Sequence, residues 1–486
     1  MKILLNRICL FVCISFLSGI CANAQTFKPI KGWKYTPEKE EFWNLFADSV
    51  KKGDWEKVAQ AVESYRSYKD VAAIAERELL IAKYCEIENL IGCSYIAAKN
   101  IVAKYPGAEA ALEAWTILER LALDEVSDDD ELMRLVNKGN FVEIPESMEG
   151  MFRYLVALGN MQKSLNEWVE PFVKAIPDES AWRIKWDLIA ALSLVGKKKT
   201  NEIIKTLALL EERAKSFPRL KTRIALQRAR LLFEEKRMSE AESIYSTYGF
   251  AGRETGRALL ERAWIRYYDR DFSTALGMLE SLKAPYFSVS QNPEQYVLGM
   301  LAYKDLCHFS AVGSVAKSFE ERYFDSIESI KKNSSLWRNK DLMWMALQRS
   351  QYASMADLIY HFKNDQDRIQ TDKVLQGDTK KVILGKLKQA ESELRERLEH
   401  QLAPELERQA EKLLDTQEQV KLIDYVASLE AYNSKKISER GSYQTEKVEK
   451  IAIEKLYWPV ETEYWWSEMP QYRVLISDQC KVGGAR

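Results

Sequence analysis

Histidine is scarce in this sequence, and the motifs that usually announce catalysis are lacking. Three histidines occur in 486 residues, and His308, His361 and His400 lie far apart inside helical patterns, so a histidine metal site is not expected. We find no glycine-rich phosphate loop, nucleophile elbow, paired-histidine zinc motif or calcium loop. Acidic residues are plentiful, yet no pair stands out as an acid and base. We therefore expect no metal, no cofactor and no enzymatic activity.

An excess of charge of either sign is also lacking. The chain has 71 basic and 72 acidic residues. A nearly balanced surface does not attract nucleic acid or anionic lipid over long distances. We expect neither as a partner.

Apolar runs of membrane-spanning length are lacking after residue 24. Before that point, Lys2 and Arg7 flank the start of an apolar run over residues 8–20, and Ala22-Asn23-Ala24 follows. This order is typical of an export signal that is cleaved after the last small residue. We predict a signal peptide over residues 1–24, a periplasmic or secreted mature protein, and no stable membrane span after cleavage.

Two alternatives to cleavage after Ala24 stay open. A retained anchor needs about 20 unbroken apolar residues, and this run is shorter. Acylation of Cys21 would give an outer-membrane lipoprotein, but Ile20 stands where that chemistry requires a small residue. Both alternatives are less favoured than a soluble, non-acylated product.

Four cysteines follow the predicted signal: Cys85, Cys93, Cys307 and Cys480. So few cannot form the framework of so long a chain, although export makes disulfides chemically possible. Cys85 and Cys93 would come near each other if residues 89–92 turn the chain. The favoured interpretation is that the cysteines are small buried hydrophobic residues.

A pattern of apolar and small residues recurs after 34 residues in the middle of the chain. Ala229 and Ala263 fall where a first helix approaches a second closely, and Ala241 and Ala275 fall where the second helix packs back. The other matched positions are Ala225-Leu226 with Leu259-Leu260, Phe233 with Tyr267, Met238 with Phe272, and Tyr245 with Leu279. One such hairpin cannot bury its apolar face alone, so the units are expected to stack.

Residues 259–287 resemble the tetratricopeptide repeats of exported bacterial proteins, and residues 98–106 are similar to the second helix of such repeats. The departures are Arg262 where the family usually has leucine, Ala263 where it has glycine, and an early Pro285. The resemblance implies an all-α fold, a solenoid of helical hairpins whose concave surface binds a partner protein or an extended peptide.

Further helices and caps can be placed around this pattern. Helix pairs are predicted at 182–195 with 200–214 and at 294–307 with 309–323, the second pair being spaced by 37 residues. Gly53-Asp54-Trp55 is typical of a hairpin turn. The acidic run 127–131 is interpreted as a helix cap in preference to a metal site.

Three parts follow the signal in the predicted organisation: a repeat solenoid over residues 25–330, long charged helices over 331–435, and an aromatic-rich segment over 436–486. Residues 379–435 are rich in Glu, Lys, Gln, Leu and Arg, which means long helices. Pro404 should kink or break the run after Leu402. A two-helix hairpin or one bent helix is favoured over a free coiled-coil dimer, and the oligomeric state stays open.

Six aromatic residues lie within residues 457–472, among them Trp458, Trp465 and Trp466. The favoured interpretation is a hydrophobic cap on the last hairpin, and the alternative is a platform that stacks sugars or clamps a partner. Residues 472–477 alternate enough to form a short strand or an extended arm.

The candidate partner-binding residues are Arg228, Arg262 and Arg266, followed by the three tryptophans of the tail. Arg228 and Arg262 are one repeat apart and are expected to lie side by side, pointing outward as a basic ladder for an acidic or extended peptide. The alternative is that these arginines pair with neighbouring acids such as Glu261.

These patterns together predict a non-enzymatic periplasmic scaffold of the cell envelope. Two other classes stay open: a glycan- or peptidoglycan-binding repeat protein that uses the C-terminal aromatic residues, and a cell-wall enzyme on a helical superstructure. The enzyme is disfavoured because the segment after residue 435 is too short for a compact catalytic domain.

Overall fold

A computed structural model describes most of the chain after residue 70 and short pieces before it. The described residues are 29–30, 48–49, 52–54, 56–59, 71–137, 144–197, 199–248, 255–287, 292–347, 350–372, 374–440 and 471–482. Within them the fold is α-helical, apart from the parallel pairing of two-residue strands β1 (Pro29–Ile30) and β2 (Ile144–Pro145). The all-α prediction is confirmed. No described helix is long and apolar enough to cross a bilayer.

Eighteen α-helices lie within the described residues. In chain order they are α1 (Val71–Ile87), α2 (Ile91–Lys104), α3 (Glu109–Leu123), α4 (Asp129–Asn137), α5 (Glu149–Gln162), α6 (Val169–Lys174), α7 (Ala181–Leu192), α8 (Thr200–Arg213), α9 (Pro218–Glu234), α10 (Met238–Tyr248), α11 (Thr255–Tyr268), α12 (Phe272–Ser281), α13 (Glu294–Asp305), α14 (Phe309–Lys331), α15 (Lys340–Leu347), α16 (Ser350–Gln370), α17 (Gly377–Arg440) and α18 (Gln479–Val482). The predicted starts of α7, α8, α13 and α14 are confirmed to within one residue.

Two compact units divide the chain. The first contains residues 1–197, 209–221 and 350–400, and the second contains 198–208, 222–349 and 401–486. Each unit is built around packed helix hairpins.

One turn geometry joins the two helices of several hairpins. Asn89, Lys236, Arg270 and Cys307 each lie two residues before a second helix and have a left-handed backbone, with φ between 54° and 60°. The N–H of the next residue bonds a carbonyl five residues earlier, at 2.7–2.9 Å. This closure satisfies carbonyls at the end of the first helix. Its recurrence shows that these hairpins turn in the same way although the turn residues differ.

In the first unit, α2 packs against α1, α3 and α16. Gly92 permits the closest approach, because a Cβ there would lie 2.9 Å from the backbone nitrogen of Phe362 in α16. One turn further along α16, the Asp365 carboxylate accepts the backbone N–H of Cys93 at 3.0 Å. The start of α2 is therefore held by α16 through backbone contact and a side-chain cap.

The acidic run before α4 is a helix cap, as predicted. Asp128 Oδ1 accepts the backbone N–H of Glu131 at 3.2 Å, and Asp129, Asp130 and Glu131 occupy the first turn. Asp128 is also buried and forms an ion pair with Arg397 of α17. The cap thus links α4 to the start of the long helix.

In the second unit, α10 and α12 begin at positions 238 and 272, which are 34 residues apart, and α14 begins 37 residues after α12. Ala229, Ala241, Ala263 and Ala275, the four small residues of the repeat, are all completely buried. Helices α11, α12 and α13 share one apolar cluster that contains Leu259, Leu276, Leu279 and Leu298. The positions that the repeat pattern assigns to helix contacts are therefore core positions.

Helix α17 is continuous from Gly377 to Arg440, with Pro404 inside it. A single helix is one of the two predicted forms and is present, whereas the break after Leu402 and the two-helix hairpin are wrong. A buried stripe explains why the helix continues, because packing along one face offsets the hydrogen bond that proline removes. The nine apolar positions of this stripe predicted from the sequence are all buried: Leu387, Leu394, Leu398, Leu402, Leu406, Ala410, Leu413, Val420 and Ala427.

All four described cysteines form disulfides, Cys85 with Cys93 and Cys307 with Cys480. The favoured interpretation of free buried thiols is wrong. The first bond joins Cα atoms 5.8 Å apart across the Asn89 turn, which brings the ends of α1 and α2 together as the alternative required. The second bond spans 173 residues.

Two predicted features near the N-terminus fall partly or wholly outside the described residues. Gly53 has φ of 69°, and Asp54 Oδ1 accepts the backbone N–H of Lys57 at 3.4 Å, so glycine turn and acidic cap are both present. Trp55 and the predicted signal peptide lie outside the described residues.

Candidate functional site

The predicted basic ladder does not lie open on the surface. Arg262 of α11 is buried, and its Nε and Nη2 atoms donate to both carboxylate oxygens of Glu242 in α10, at 3.1 and 2.7 Å. Arg266, one turn along α11, donates to the same carboxylate at 2.7 Å. The prediction that Arg262 points outward is wrong, because this guanidinium serves as the partner of a half-buried carboxylate between two helices.

The alternative, that these arginines pair with acids, is correct for Arg262 and Arg266, although their acid is Glu242 and not Glu261. Glu261 pairs instead with Arg230, at 3.2 Å, and with Arg257, at 2.9 Å. Arg228 is half-buried on α9. Removing Arg262 would leave Glu242 short of one charge partner in a poorly hydrated place, so Arg262 contributes to stability whatever it binds.

Trp458, Trp465 and Trp466 lie outside the described residues. The tail is described over residues 471–482, and this part lies in the second unit. We call residues Tyr472–Cys480 the C-terminal strap.

The C-terminal strap is extended up to residue 478, and helix α18 begins at Gln479. Alternate side chains point inward, and Tyr472, Val474 and Ile476 pack against the apolar cluster of α11, α12 and α13. Leu475 points away and is 66% exposed. This period of two matches the alternation predicted from the sequence.

Hydrogen bonds to the strap involve mainly its backbone. Ser273, in the first turn of α12, accepts the N–H of Val474 through its carbonyl at 3.0 Å, and its hydroxyl donates to the carbonyl of Val474 at 2.7 Å. His308 Nε2 lies 2.6 Å from the carbonyl of Ser477. The N–H of Gln479 donates to the carbonyl of Leu306 at 3.0 Å.

Gly277, in the middle of α12, marks the place where the strap touches the helix backbone. A Cβ at this position would lie 1.9 Å from the carbonyl oxygen of Tyr472. A glycine inside a helix costs about 1 kcal/mol relative to alanine. The close approach of the strap gives a physical reason for this glycine.

The strap ends at the recurrent hairpin turn. Cys307, the left-handed residue between α13 and α14, forms the disulfide with Cys480. We call the surface formed by Ser273, Gly277, Leu306, Cys307 and His308 the strap site.

Several buried ionisable groups are structural in character. Burial raises the pKa of Asp365 to about 6, although the N–H groups of Cys93 and Gly92 oppose the shift. Burial also raises the pKa of Asp128 and of Glu119, against the opposing effects of Arg397 and Trp182 respectively. Asp365 and Asp128 each accept a backbone N–H at the start of a helix, and Glu119 of α3 accepts the indole N–H of Trp182 in α7 at 2.8 Å.

Within the part of the chain that the structure describes, no three His, Cys, Asp or Glu side chains converge on a possible metal site. No protein-family model matches the chain, and neither a curated protein nor a solved structure is significantly similar to it.

Sequence reasoning found the strap's alternation but missed the surface that holds it. Gly277 was the available signal, since a glycine between Leu276 and Met278 in an otherwise good helix pattern indicates close backbone approach. The pairing of Cys307 with Cys480 leaves no comparable signal in their spacing, because 173 residues separate them.

Proposed function

We propose that this protein is a non-enzymatic periplasmic scaffold of the bacterial cell envelope, built as a tetratricopeptide-like solenoid that binds a partner protein or an extended peptide. The observation that carries the proposal is the recurrence of one helix-pair geometry, with the same left-handed turn before α10, α12 and α14 and buried alanines at the helix contacts. Stacked helix pairs of this kind provide extended surfaces for protein partners.

Export is supported by two separate features of the chain. Disulfides persist in oxidising compartments such as the periplasm and are rare in the cytosol, and all four described cysteines are paired. The signal-like pattern that ends at Ala24 agrees with this location. Mass spectrometry of the mature protein tests the proposal: we expect Gln25 as the first residue, whereas a lipid on Cys21 would place the protein at the outer membrane.

Arg228 and Arg266 are the proposed partner contacts that fit best with the geometry. They lie on α9 and α11, the first helices of consecutive pairs, and each is half-buried. Arg266 shares Glu242 with the buried Arg262, so its guanidinium is already oriented. A carboxylate of a partner peptide could add a charge-assisted hydrogen bond at this place.

Affinity capture from an envelope extract after cross-linking tests the binding surface. We expect the double substitution Arg228→Ser, Arg266→Ser to reduce capture of a protein partner at least about tenfold. The matched control is Arg237→Ser with Arg257→Ser, which removes two exposed arginines that form ion pairs with Glu240 and Glu261 respectively. Capture should persist in the control, and capture at the wild-type level by the Arg228→Ser, Arg266→Ser variant would move the binding surface away from these two residues.

The same preparation distinguishes the glycan-binding alternative. Retention of the wild-type protein on peptidoglycan or a glycan column, without a captured protein, would favour binding by Trp458, Trp465 and Trp466. Substitution of these tryptophans by alanine should then abolish retention.

A further inference from the structure

The strap site recognises a backbone. Ser273 contacts both the N–H and the carbonyl of Val474, His308 contacts the carbonyl of Ser477, and Leu306 accepts the N–H of Gln479. None of these bonds uses a side chain of the strap. Main-chain hydrogen bonds provide affinity for any extended segment, and pockets for alternate side chains provide selectivity.

The strap site contacts the side chains of the bound segment at alternate positions only. Alternate inward positions hold Tyr472, Val474 and Ile476 on the apolar cluster, while Arg473 and Leu475 point outward. An aromatic residue followed by branched apolar residues at every second position therefore satisfies the site. The side chains at the outward positions face solvent, so the site does not restrict which residues occur there.

The C-terminal strap has one advantage over a free peptide of the same sequence, because a disulfide attaches it covalently next to the site. The bond between Cys307 and Cys480 fixes the end of the strap where Gln479 meets Leu306. Such a tether raises the effective concentration of the strap at the site and excludes competitors. It is also the one contact at the site that a chemical reaction can remove.

We propose that the strap site is a peptide-binding site for extended segments with apolar residues at alternate positions, that the C-terminal strap is its resident occupant, and that reduction of the Cys307–Cys480 bond opens it. The partner is a segment of another protein with the chemistry of the strap. This site is separate from the Arg228 and Arg266 surface, so the inference does not depend on the proposed function.

The opening reaction is a thiol–disulfide exchange with a dithiol reductant. One thiolate of the reductant attacks a sulfur of the Cys307–Cys480 bond and forms a mixed disulfide, and the second thiolate displaces the protein sulfur. Two electrons pass to the protein, the two cysteines take up protons as thiols, and the reductant leaves as a disulfide. The strap is then held by hydrogen bonds and apolar contacts alone.

Binding of a fluorescent peptide to the full-length protein tests the inference. The peptide copies residues 471–482 with Cys480→Ser, so that it cannot form a disulfide. We expect the unlatched variant Cys307→Ser, Cys480→Ser to bind it at least about tenfold more tightly than the oxidised wild type does. Reduction of the wild type with dithiothreitol should give the same gain without any substitution.

Two controls separate recognition of the strap from general stickiness. Gly277→Ala in the unlatched variant places a Cβ where the carbonyl of Tyr472 lies, so it should abolish peptide binding while helical circular dichroism is retained. A second peptide, in which inward and outward residues are exchanged, should not bind. Circular dichroism of the unlatched variant confirms that it is folded.

Absence of binding to both the folded unlatched variant and the reduced wild type would overturn the inference and make the strap a permanent structural cap. Equal binding by the Gly277→Ala variant would also overturn it, because the peptide would then be held elsewhere. Binding that is saturable, dependent on unlatching and abolished by Gly277→Ala would establish the site.

Discussion

Gly92 in the first unit and Gly277 in the second are comparable, because a Cβ at either position would collide with the backbone of another chain segment. At Gly92 the crossing segment is helix α16, whereas at Gly277 it is the extended strap. A helix satisfies its own backbone, so α16 meets α2 through the Phe362 side chain and the Asp365 cap. An extended segment must find partners for its backbone elsewhere. Ser273, Leu306 and His308 supply them in the second unit.

The two disulfides also differ in how far apart their cysteines are in the sequence. Cys85–Cys93 closes a turn between consecutive helices, while Cys307–Cys480 ties a remote segment to a turn. The local contact forms with little loss of chain entropy, and the remote contact requires closure of a long loop. The disulfide of the first unit therefore joins helices that are already neighbours in the sequence. The disulfide of the second unit joins the strap to a turn that is remote from it in the sequence.

Loss of the two disulfides should show the largest difference between the units. For loops of 8 and 173 residues, loop-closure entropy predicts losses of about 2.5 and about 5 kcal/mol in the free energy of unfolding. Denaturant unfolding of Cys85→Ser, Cys93→Ser and of Cys307→Ser, Cys480→Ser measures both. A larger loss from the short loop would contradict this ordering.

Alanine at Gly92 and at Gly277 should change the free energy of unfolding by different amounts. Gly92→Ala pushes a Cβ against the backbone of α16, which cannot leave, so we expect a loss of about 3 kcal/mol. Gly277→Ala displaces the strap only near Tyr472, because the Cys307–Cys480 bond still holds its other end, and the gain of about 1 kcal/mol in helix propensity offsets part of the loss, so the net loss should be smaller, about 1 kcal/mol. Thermal unfolding of both variants measures the contrast, and equal losses would mean that the strap is as fixed as α16.

Overpacking at a repeat seam should cost less than the clash at Gly92. Ala263 is completely buried between helices, and Ala263→Leu should lower stability by about 1–3 kcal/mol. Ala275→Leu is expected to behave similarly, and Leu209→Ala, at a residue that is mostly exposed, is the matched surface control. An Ala263→Leu variant that melts at the wild-type temperature would mean that this position is not a helix contact.

Asp365 predicts a smaller and pH-dependent effect. Its pKa rises to about 6 in the folded protein from an ordinary value of 3.8, so the fold holds this proton more tightly than the unfolded chain does. The resulting stability is fully present below pH 3.8 and is lost as the pH rises to 6. Asp365→Asn should remove this dependence and stabilise the protein at pH 7 by about 1–2 kcal/mol. Unfolding between pH 4 and pH 7 tests it, and an unchanged slope would contradict it.

Much of the helical framework can be predicted from the sequence because it is encoded locally. The spacing of apolar residues places the starts of α8, α13 and α14 at Thr200, Glu294 and Phe309, as the structure has them. Burial of Ala263 and Ala275 follows from the same pattern. These features depend on residues that are neighbours along a helix.

The features that escaped prediction depend on remote residues. Pro404 continues a helix because buried leucines on both sides hold it, which local propensity does not express. The local sequence predicts an outward position for Arg262, because it does not show that Glu242 of another helix lies beside this residue. The strap site combines α12 with the α13–α14 turn, and it holds a segment that is remote in the sequence, since Ser273 and Val474 are 201 residues apart.

Amide hydrogen exchange at Val474 and Gln479 tests the central claim most directly, namely that the helical repeats hold an extended segment by its backbone. In the oxidised wild type we predict slow exchange at both amides, because each donates to a carbonyl of the second unit. Both amides should exchange much faster in the variant Cys307→Ser, Cys480→Ser, while amides inside α12 keep their protection. Exchange at the rate of a free peptide in the oxidised protein would contradict the account.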